Sequence, residues 1–579
     1  PLAPGQSPNV DRTIQGLDIH GDEGYFLHPG DEPYTSRYVL DFTTALQIAQ
    51  SGTHVFRLVS NRRTEMQVQG RRLVGNPDGG SYAIYATMDL EAGLHPVRIQ
   101  TFAAKLPAEV RLTWQPPGAH GFTPVPDSVF RIQRLPARPT TSGKKQLAVR
   151  VTRPGDGEAL VGVHPGYDVM TVRPAGMEMP VGGLDMLPDG RLLVATFDAR
   201  RFKARDPQPT PDGELWILDH ADSDDRARIT ATRIAKDLYE PAGIRVVGDV
   251  IYVSQRNEVS RFTYNAETDA YDHAVVATGW QTNDFHQLSF GLLYEPGEGD
   301  HPGYLYLARS PGLGWGRNPP NHGSVWKIDL AGAPGSNVEP LTGGHRTPNG
   351  IGWGPEQEIF VIDNQGNWTP SNELNHVRKG HFYGYYNPTN DPDAHPSPYQ
   401  NEADRLNPGK GVTQAAIQLP QDEIANSPSQ PILIPEGQPF AGQMLMGDIK
   451  YGGIQRLFLE KINGVWQGAA FRFTQGLEVG INRITWGPDG SLYAGGIGGD
   501  HDASWNWVDP QGNKTYQGLQ RLTPNGTVAF EMESVRATPD GFDVTFTKPV
   551  ARATLADPST YTIRQWTYEA SITYGGPKK

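Results

Sequence analysis

The stretch HRTPNGIGWGPEQEIFVIDNQGNW, residues 345–368, reads as an apolar strand, a Gly-Pro turn and a second, alternating strand. The pair His345-Arg346 brackets it at one end, and the polar corner Asp363-Asn364-Gln365-Gly366-Asn367 at the other. The plan recurs along the chain as GGLDMLPDGRLLVATF (182–197), AGIRVVGDVIYVSQ (242–255), LSFGLLYEPGEGDHPGYLYLARS (288–310) and NRITWGPDGSLYAGGI (482–497). AGQMLMGDIKYGGIQRLFL (441–459) is a more divergent copy. Self-similar units at a period of about 50–60 residues signal a β-propeller, because each small sheet needs neighbours to bury its faces. The count predicts six blades, with seven as the fallback.

Composition agrees with a mostly β chain. In 579 residues there are 67 Gly and 50 Pro, the punctuation of short strands and tight turns. At 37% hydrophobic there is enough apolar material for several cores, and the length divides into more than one domain. We expect a β-sandwich over 11–118, a connector with packing strands over 119–178, the propeller over 179–522, and a C-terminal β segment over 523–579 that is part of a sandwich or flanks the propeller. The formal charge of −13, with no basic run, argues against a nucleic-acid surface. No apolar run reaches the ~18 residues of a membrane span. With Cys 0, disulfides, thiolate-held metals and haem attached through C-x-x-C-H are excluded within these residues. The Pro-rich start PLAPGQSPN reads as a processed tail, and the ending YGGPKK gives no stop signal. An exported location, periplasmic or extracellular, is expected.

Propellers carry chemistry on the loops at one mouth of the central channel. His286, just before an inner strand, has the residue type to take a proton from a sugar hydroxyl; a plain hydrogen bond to a neighbouring blade is the alternative. Arg346 offers a planar fork suited to a carboxylate or quinone oxygen, and Asn349 opens the strand behind it. Carbonyls and amides at Gln365, Gly366 and Asn367 are oxygen ligands of the kind calcium accepts, or form a simple turn. Lys450 is either solvated or aimed at an anion. Asn482 and Arg483 precede the last inner strand, and Trp505 and Trp507 either stack on sugar or pack a Gly-rich loop.

Together these segments resemble the soluble pyrroloquinoline quinone-dependent glucose and aldose (sorbosone-type) dehydrogenases, which are six-bladed propellers. The resemblance rests on His286, GGHRTPNG (343–350), NQGNWTPSNELN (364–375) and GDIKYGGIQRL (447–457), in that order over most of the repeat region. It implies His286 as general base, and Arg346 and Lys450 on the quinone. It further implies Gly366 and Asn367 as carbonyl ligands of calcium, with Arg346, Asn349, Lys450 and Asn482 around the cofactor and Arg483 in the catalytic group. The G-R-I-R-D segment of that family reads VGINRI here, so its two arginines fall at or near Gly480 and Asn482, with only Arg483 close by. Residues 11–118 resemble the PA14 β-sandwich through GTHVFRL (52–58), MQVQGRRLV (66–74), LEAGLHPV (90–97) and LTW (112–114). Asn61-Arg62-Arg63 stands where sugar-binding members carry calcium-holding acids.

Three readings of function follow. The first is a calcium-bearing, quinone-dependent sugar dehydrogenase that passes electrons to a separate acceptor such as a cytochrome. The second is a lyase or hydrolase of uronate-containing glycans, with Tyr383 or Tyr451 assisting His286. The third is a non-catalytic carbohydrate-binding protein. All three take a mono-, oligo- or polysaccharide as ligand.

Overall fold

The computed structural model describes residues 17–19, 36–60, 63–69, 71–75, 82–105, 110–131, 162–199, 211–282, 284–312, 321–385, 412–421, 423–449, 453–498, 507–508, 514–558, 561, 563–568, 570, 574–576 and 578. Its contacts divide the chain into two units, Pro1–Thr152 with Ser571–Tyr574, and Arg153–Ala570 with Gly575–Lys579.

The first unit is a β-sandwich. One sheet orders Asp18–Ile19, Val110–Gln115, Gly52–Ser60 and Tyr82–Leu90; the other orders Phe130–Arg131, Ser36–Ile48, Gly93–Lys105, Arg63–Val68 and Arg71–Gly75. Alternation sends Phe56, Leu58, Leu112 and Trp114 of one sheet against Leu46, Met66, Val97 and Ile99 of the other, all buried in one core.

The second unit is a six-bladed propeller. Among the described residues six four-stranded antiparallel sheets follow one another. Their inner strands are Val181–Met186, Gly243–Val247, Ser289–Glu295, Gly350–Trp353, Pro428–Leu433 and Ile481–Trp486, which we number as blades 1 to 6. Each inner strand packs on the next, and the sixth packs back on the first, so the ring closes at six. Closure is helped by strand exchange: Tyr167–Thr171 pairs with Gln517–Pro524 as the outer strand of blade 6. That strand lies within the stretch expected to be a connector.

Middle strands are covered on both faces by adjacent blades, and Leu192–Thr196 is buried along its whole length. Outer strands such as Thr230–Leu238 are largely exposed. Between blades 4 and 5, Phe360, Ile362 and Leu374 pack on Met444, Met446 and Leu457. Each such side chain stabilises by about 1.5–3 kcal/mol when fully buried.

Two expectations about strands are corrected. The divergent copy 441–459 is not an inner strand with its partner. It supplies the second and third strands of blade 5, Met444–Asp448 and Gly453–Ile462, and the inner strand is Pro428–Leu433. Two prolines hid it; they are tolerated because the register slips between Pro428 and Pro431. Asn482 and Arg483 lie inside the last inner strand, at a bulge between Ile481 and Arg483. The C-terminal strands Met532–Thr538 and Gly541–Phe546 form a two-stranded hairpin that flanks blade 5, where Arg456 Nη1 donates to Glu533 O at 2.8 Å.

Candidate functional site

All inner strands start, and all second strands end, at the same mouth of the propeller. The stretch 345–368 brings two such ends together. Asp363, last residue of Ile359–Asp363 and fully buried, accepts from three backbone amides: Arg346 N at 2.8 Å, Thr347 N at 2.6 Å and Asn364 N at 2.8 Å. A carboxylate held by several N–H donors is fixed in place. The polar ends of the hairpin are therefore one structure, and Asp363 shapes the loop that presents Arg346 and Thr347.

From blade 3, His286 meets that loop. Its Nδ1 lies 2.9 Å from Pro311 O and its Nε2 3.1 Å from Thr347 Oγ1. A carbonyl only accepts, so Nδ1 carries the proton and the Nε2 lone pair faces the threonine hydroxyl. Arg346 Nη1 donates to the same Thr347 Oγ1 at 3.0 Å. The result is a directed line: guanidinium to hydroxyl, hydroxyl to imidazole, imidazole to carbonyl. Burial, then the Arg346 and Arg256 cations, pull the His286 imidazole down to about 3, against the opposing pull of Pro311 O. The ring is neutral across the physiological range. The loop carrying it is tied down by Arg256, which pairs with Glu240 and donates to Asp284 O at 3.0 Å and Phe285 O at 2.9 Å.

Arg483 is not at the mouth surface. It is 1% exposed and donates to Ala242 O of the blade 2 entry, to Asn349 O and Oδ1 of the blade 4 entry, and to Asn482 O and Oδ1 of its own blade 6. Partners on alternate blades place it on the channel axis, as a plug. Burial draws its guanidinium down to about 9. Asn349 and Asn482 belong to the same plug, with Asn349 Nδ2 3.4 Å from Asn482 Oδ1 and Asn482 Nδ2 donating to Val181 O at 2.9 Å.

Tyr383 is set back from the mouth. Its ring stacks on His345 at 4.5 Å, and its hydroxyl accepts from Arg378 N at 3.0 Å and donates to His376 O. Burial pushes it up to about 12. It borders a separate cavity of about 1570 Å³ on the flank of blades 4 and 5, together with Trp368, Glu373 and Gln418. Lys450, Tyr451 and Trp505 lie outside the described residues, and Trp507 falls in the short strand Trp507–Val508, paired with Lys514–Thr515.

A quinone carboxylate or carbonyl fits Arg346, which is half-buried, whereas Arg256, Arg309 and Arg483 are wholly buried among carbonyl acceptors. The two clamp positions do not fit. A Cβ at Gly480 would stand 1.7 Å from Ile449 O, and Asn482 is spent between blades. Calcium on the Gly366 carbonyl does not fit either, because that oxygen already accepts from Thr369 N at 3.3 Å and Gly575 N at 3.1 Å. Gln365 N donates to Asn372 Oδ1 at 3.2 Å, and Asn367 is half-buried in the Gly366–Thr369 turn. Gly366 leaves room for the Arg346 stem, since a Cβ there would lie 2.7 Å from Arg346 Cγ. Among the described residues, no three His, Asp or Glu side chains stand together as a metal cluster.

Sequence reasoning named Asp363 only as part of the polar corner, and gave no role to Thr347, Arg256 or Glu240. Of the last three, Thr347 carried a local signal, standing next to Arg346 at a strand entry.

No protein-family profile matches the chain, and no curated protein matches it by sequence. Similar solved structures include an oxidoreductase described as a glucose dehydrogenase from Thermus thermophilus (20% identity, 62% of this chain and 100% of that one, TM-score 0.40). The quinone-bound aldose sugar dehydrogenase of Streptomyces coelicolor is similar at 17% identity, over 62% of this chain and 100% of that one, TM-score 0.36. A PA14 sugar-binding domain from an RTX adhesin is similar over 17% of this chain and 58% of its own, at 20% identity and TM-score 0.16.

Proposed function

We propose that the chain is a carbohydrate oxidoreductase of the sugar-dehydrogenase type, in which an aldose binds at the propeller mouth and His286 receives the proton of its anomeric hydroxyl. The supporting observation is the line Arg346–Thr347–His286. A sugar hydroxyl donating to Thr347 Oγ1 loses its proton as Thr347 gives its own to His286 Nε2, so no charge is left on the threonine. Arg346, beside the same oxygen, offsets the negative charge developing on the sugar. Pro311 O keeps the imidazole in the required tautomer and orientation. A quinone held at Arg346 would supply the hydride acceptor. The proposal includes a separate electron acceptor and an exported, periplasmic or extracellular protein; among the described residues no helix is long and apolar enough to cross a membrane.

The closed positions Gly480 and Asn482 favour a second reading, a lyase or hydrolase in which Arg346 holds a uronate carboxylate and the same relay moves the proton. One experiment separates them. The protein is titrated with pyrroloquinoline quinone and assayed for dye reduction with a panel of aldoses, in parallel with cleavage of uronate-containing polysaccharides. Sugar-dependent reduction that His286→Ala abolishes supports the dehydrogenase. Saturating quinone with no reduction refutes it, and cleavage lost in His286→Ala then establishes the second reading.

A further inference from the structure

The geometry points to a second carbohydrate site: the cavity on the flank of blades 4 and 5 is a binding groove for a neutral oligosaccharide, apart from the propeller mouth. At about 1570 Å³ it exceeds the ~300–1,000 Å³ of a site for a drug-sized ligand, so it has room for several linked sugar rings. It is bounded by the outer strands of blades 4 and 5, Ile417–Leu419 and Val465–Thr474, by the C-terminal hairpin and by residues 563–568, all within the second unit. Aromatic rings line it from every side: Trp368 and Phe471 from the propeller, Phe542 from the hairpin, Trp566 and Tyr568 from the last segment. Phe542 is 64% exposed although wholly apolar. Rings of this kind offer a flat apolar face to the C–H face of a pyranose, and Trp and Tyr keep a polar edge for its hydroxyls.

The polar groups suit uncharged hydroxyls. Gln418, Gln467 and Gln565 line the cavity, and an amide carries both donors and an acceptor. Charges there are spent on one another: Glu423 pairs with Lys578, Glu460 with Arg536 at 3.8 Å and Glu531 with Arg456 at 3.2 Å, while Arg472 Nη2 donates to Glu423 O at 2.7 Å. Arg564 stands on the exposed side, where water and salt screen it. Glu373, pushed up to about 8 by burial and then by Asp363, is protonated at neutral pH and adds a hydroxyl donor without a charge. Trp368 is the sharpest sign of a ligand. It is 7% exposed and held at φ +63°, where a bulky side chain is strained, and its indole N–H is buried with no acceptor among the described residues. Such strain collects at ligand clamps, and an orphaned donor on a cavity wall is a group that a sugar hydroxyl satisfies. The groove stands whether or not His286 works on a sugar.

The test is isothermal titration calorimetry of the full chain with cellohexaose, a neutral chain whose equatorial hydroxyls leave apolar ring faces, alongside glucose and hexagalacturonate. We expect cellohexaose to bind more tightly than either. Phe542→Ala and Trp566→Ala, neither of which touches the His286 line, should each weaken it about tenfold, and Phe542→Tyr, which keeps a ring, should not. His286→Ala should bind cellohexaose as the unaltered chain does, which separates this groove from the mouth. Circular dichroism confirms the fold of each variant. No binding of cellohexaose, tighter binding of hexagalacturonate, unchanged affinity in both alanine variants, or binding lost in His286→Ala alone would overturn the inference.

Discussion

Replacing Arg483 by Met keeps the stem and removes the guanidinium, which tests whether this arginine is structural or catalytic. It serves five acceptor atoms: Ala242 O, both oxygens of Asn349 and both of Asn482. Two keep another donor, Ala242 O from Gly291 N and Asn482 Oδ1 from Asn349 Nδ2. Three lose one, at about 1–3 kcal/mol for each buried group left short, a gross loss of about 3–9 kcal/mol. Against this, Met escapes the burial cost that draws the guanidinium to about 9, at about 1.4 kcal/mol per pH unit. The offset is smaller than the upper part of that loss, and we expect a net destabilisation of up to about 4 kcal/mol, since the acceptors lie on three different blades and cannot relax together. Chemical denaturation, followed through the unfolding transition of the propeller, reads it. The same variant, assayed below that transition, should retain its chemistry. Unchanged stability with activity abolished would refute the reasoning and return Arg483 to the catalytic group.

Thr347→Val keeps the shape but breaks the relay, so kcat should fall by about 10²-fold or more with KM little changed; a pure KM effect would mean that Thr347 only lines the site. The His286 imidazole, drawn to about 3, should show no NMR titration between pH 5 and 8. Because its folded value lies below the unfolded one, its contribution to stability is present above about 6.5 and lost as pH falls toward 3; a midpoint near 6.5 in the folded protein would contradict the burial argument. Glu373 runs the other way. Burial, with Asp363 opposite it across the strand pair, pushes it up to about 8, so its contribution is full below about 4.5 and lost as pH rises through 8. Glu373→Gln should therefore raise the melting temperature at pH 9 relative to the unaltered chain and flatten its decline above neutrality; parallel curves would show that Glu373 is ionised throughout.

Local patterning carried the architecture. Turn residues at fixed offsets from apolar strands, repeated along the chain, require sheets that cover one another, and that argument reached six blades from residues such as Gly487-Pro488-Asp489-Gly490 alone. It failed at Pro428–Leu433, where prolines contradict strand propensity and only a bulge within a packed blade makes them acceptable. His286 and Arg346 were legible as candidates because each stands beside a strand entry, where a propeller opens its channel mouth. Their joining through Thr347 was not, because it depends on blades 3 and 4 meeting across residues far apart in sequence.

The sequence by itself determined the fold class, the strand entries onto which the candidate residues fall, and the residue types available there. Tertiary structure decided which of those residues are plugged between blades and which stay partly open at the mouth. Arg483 and Arg346 are the same side chain at similar strand entries, yet the first is plugged into the channel axis and the second lies half-buried beside a hydroxyl and an imidazole. Gly366 looks the same whether its carbonyl faces a cation or an amide, and here residue 575 supplies the amide. The physical reason is one of range. Hydrophobic period and turn preference act over a few residues, whereas the satisfaction of a buried donor or acceptor is settled by whatever the closed ring brings against it.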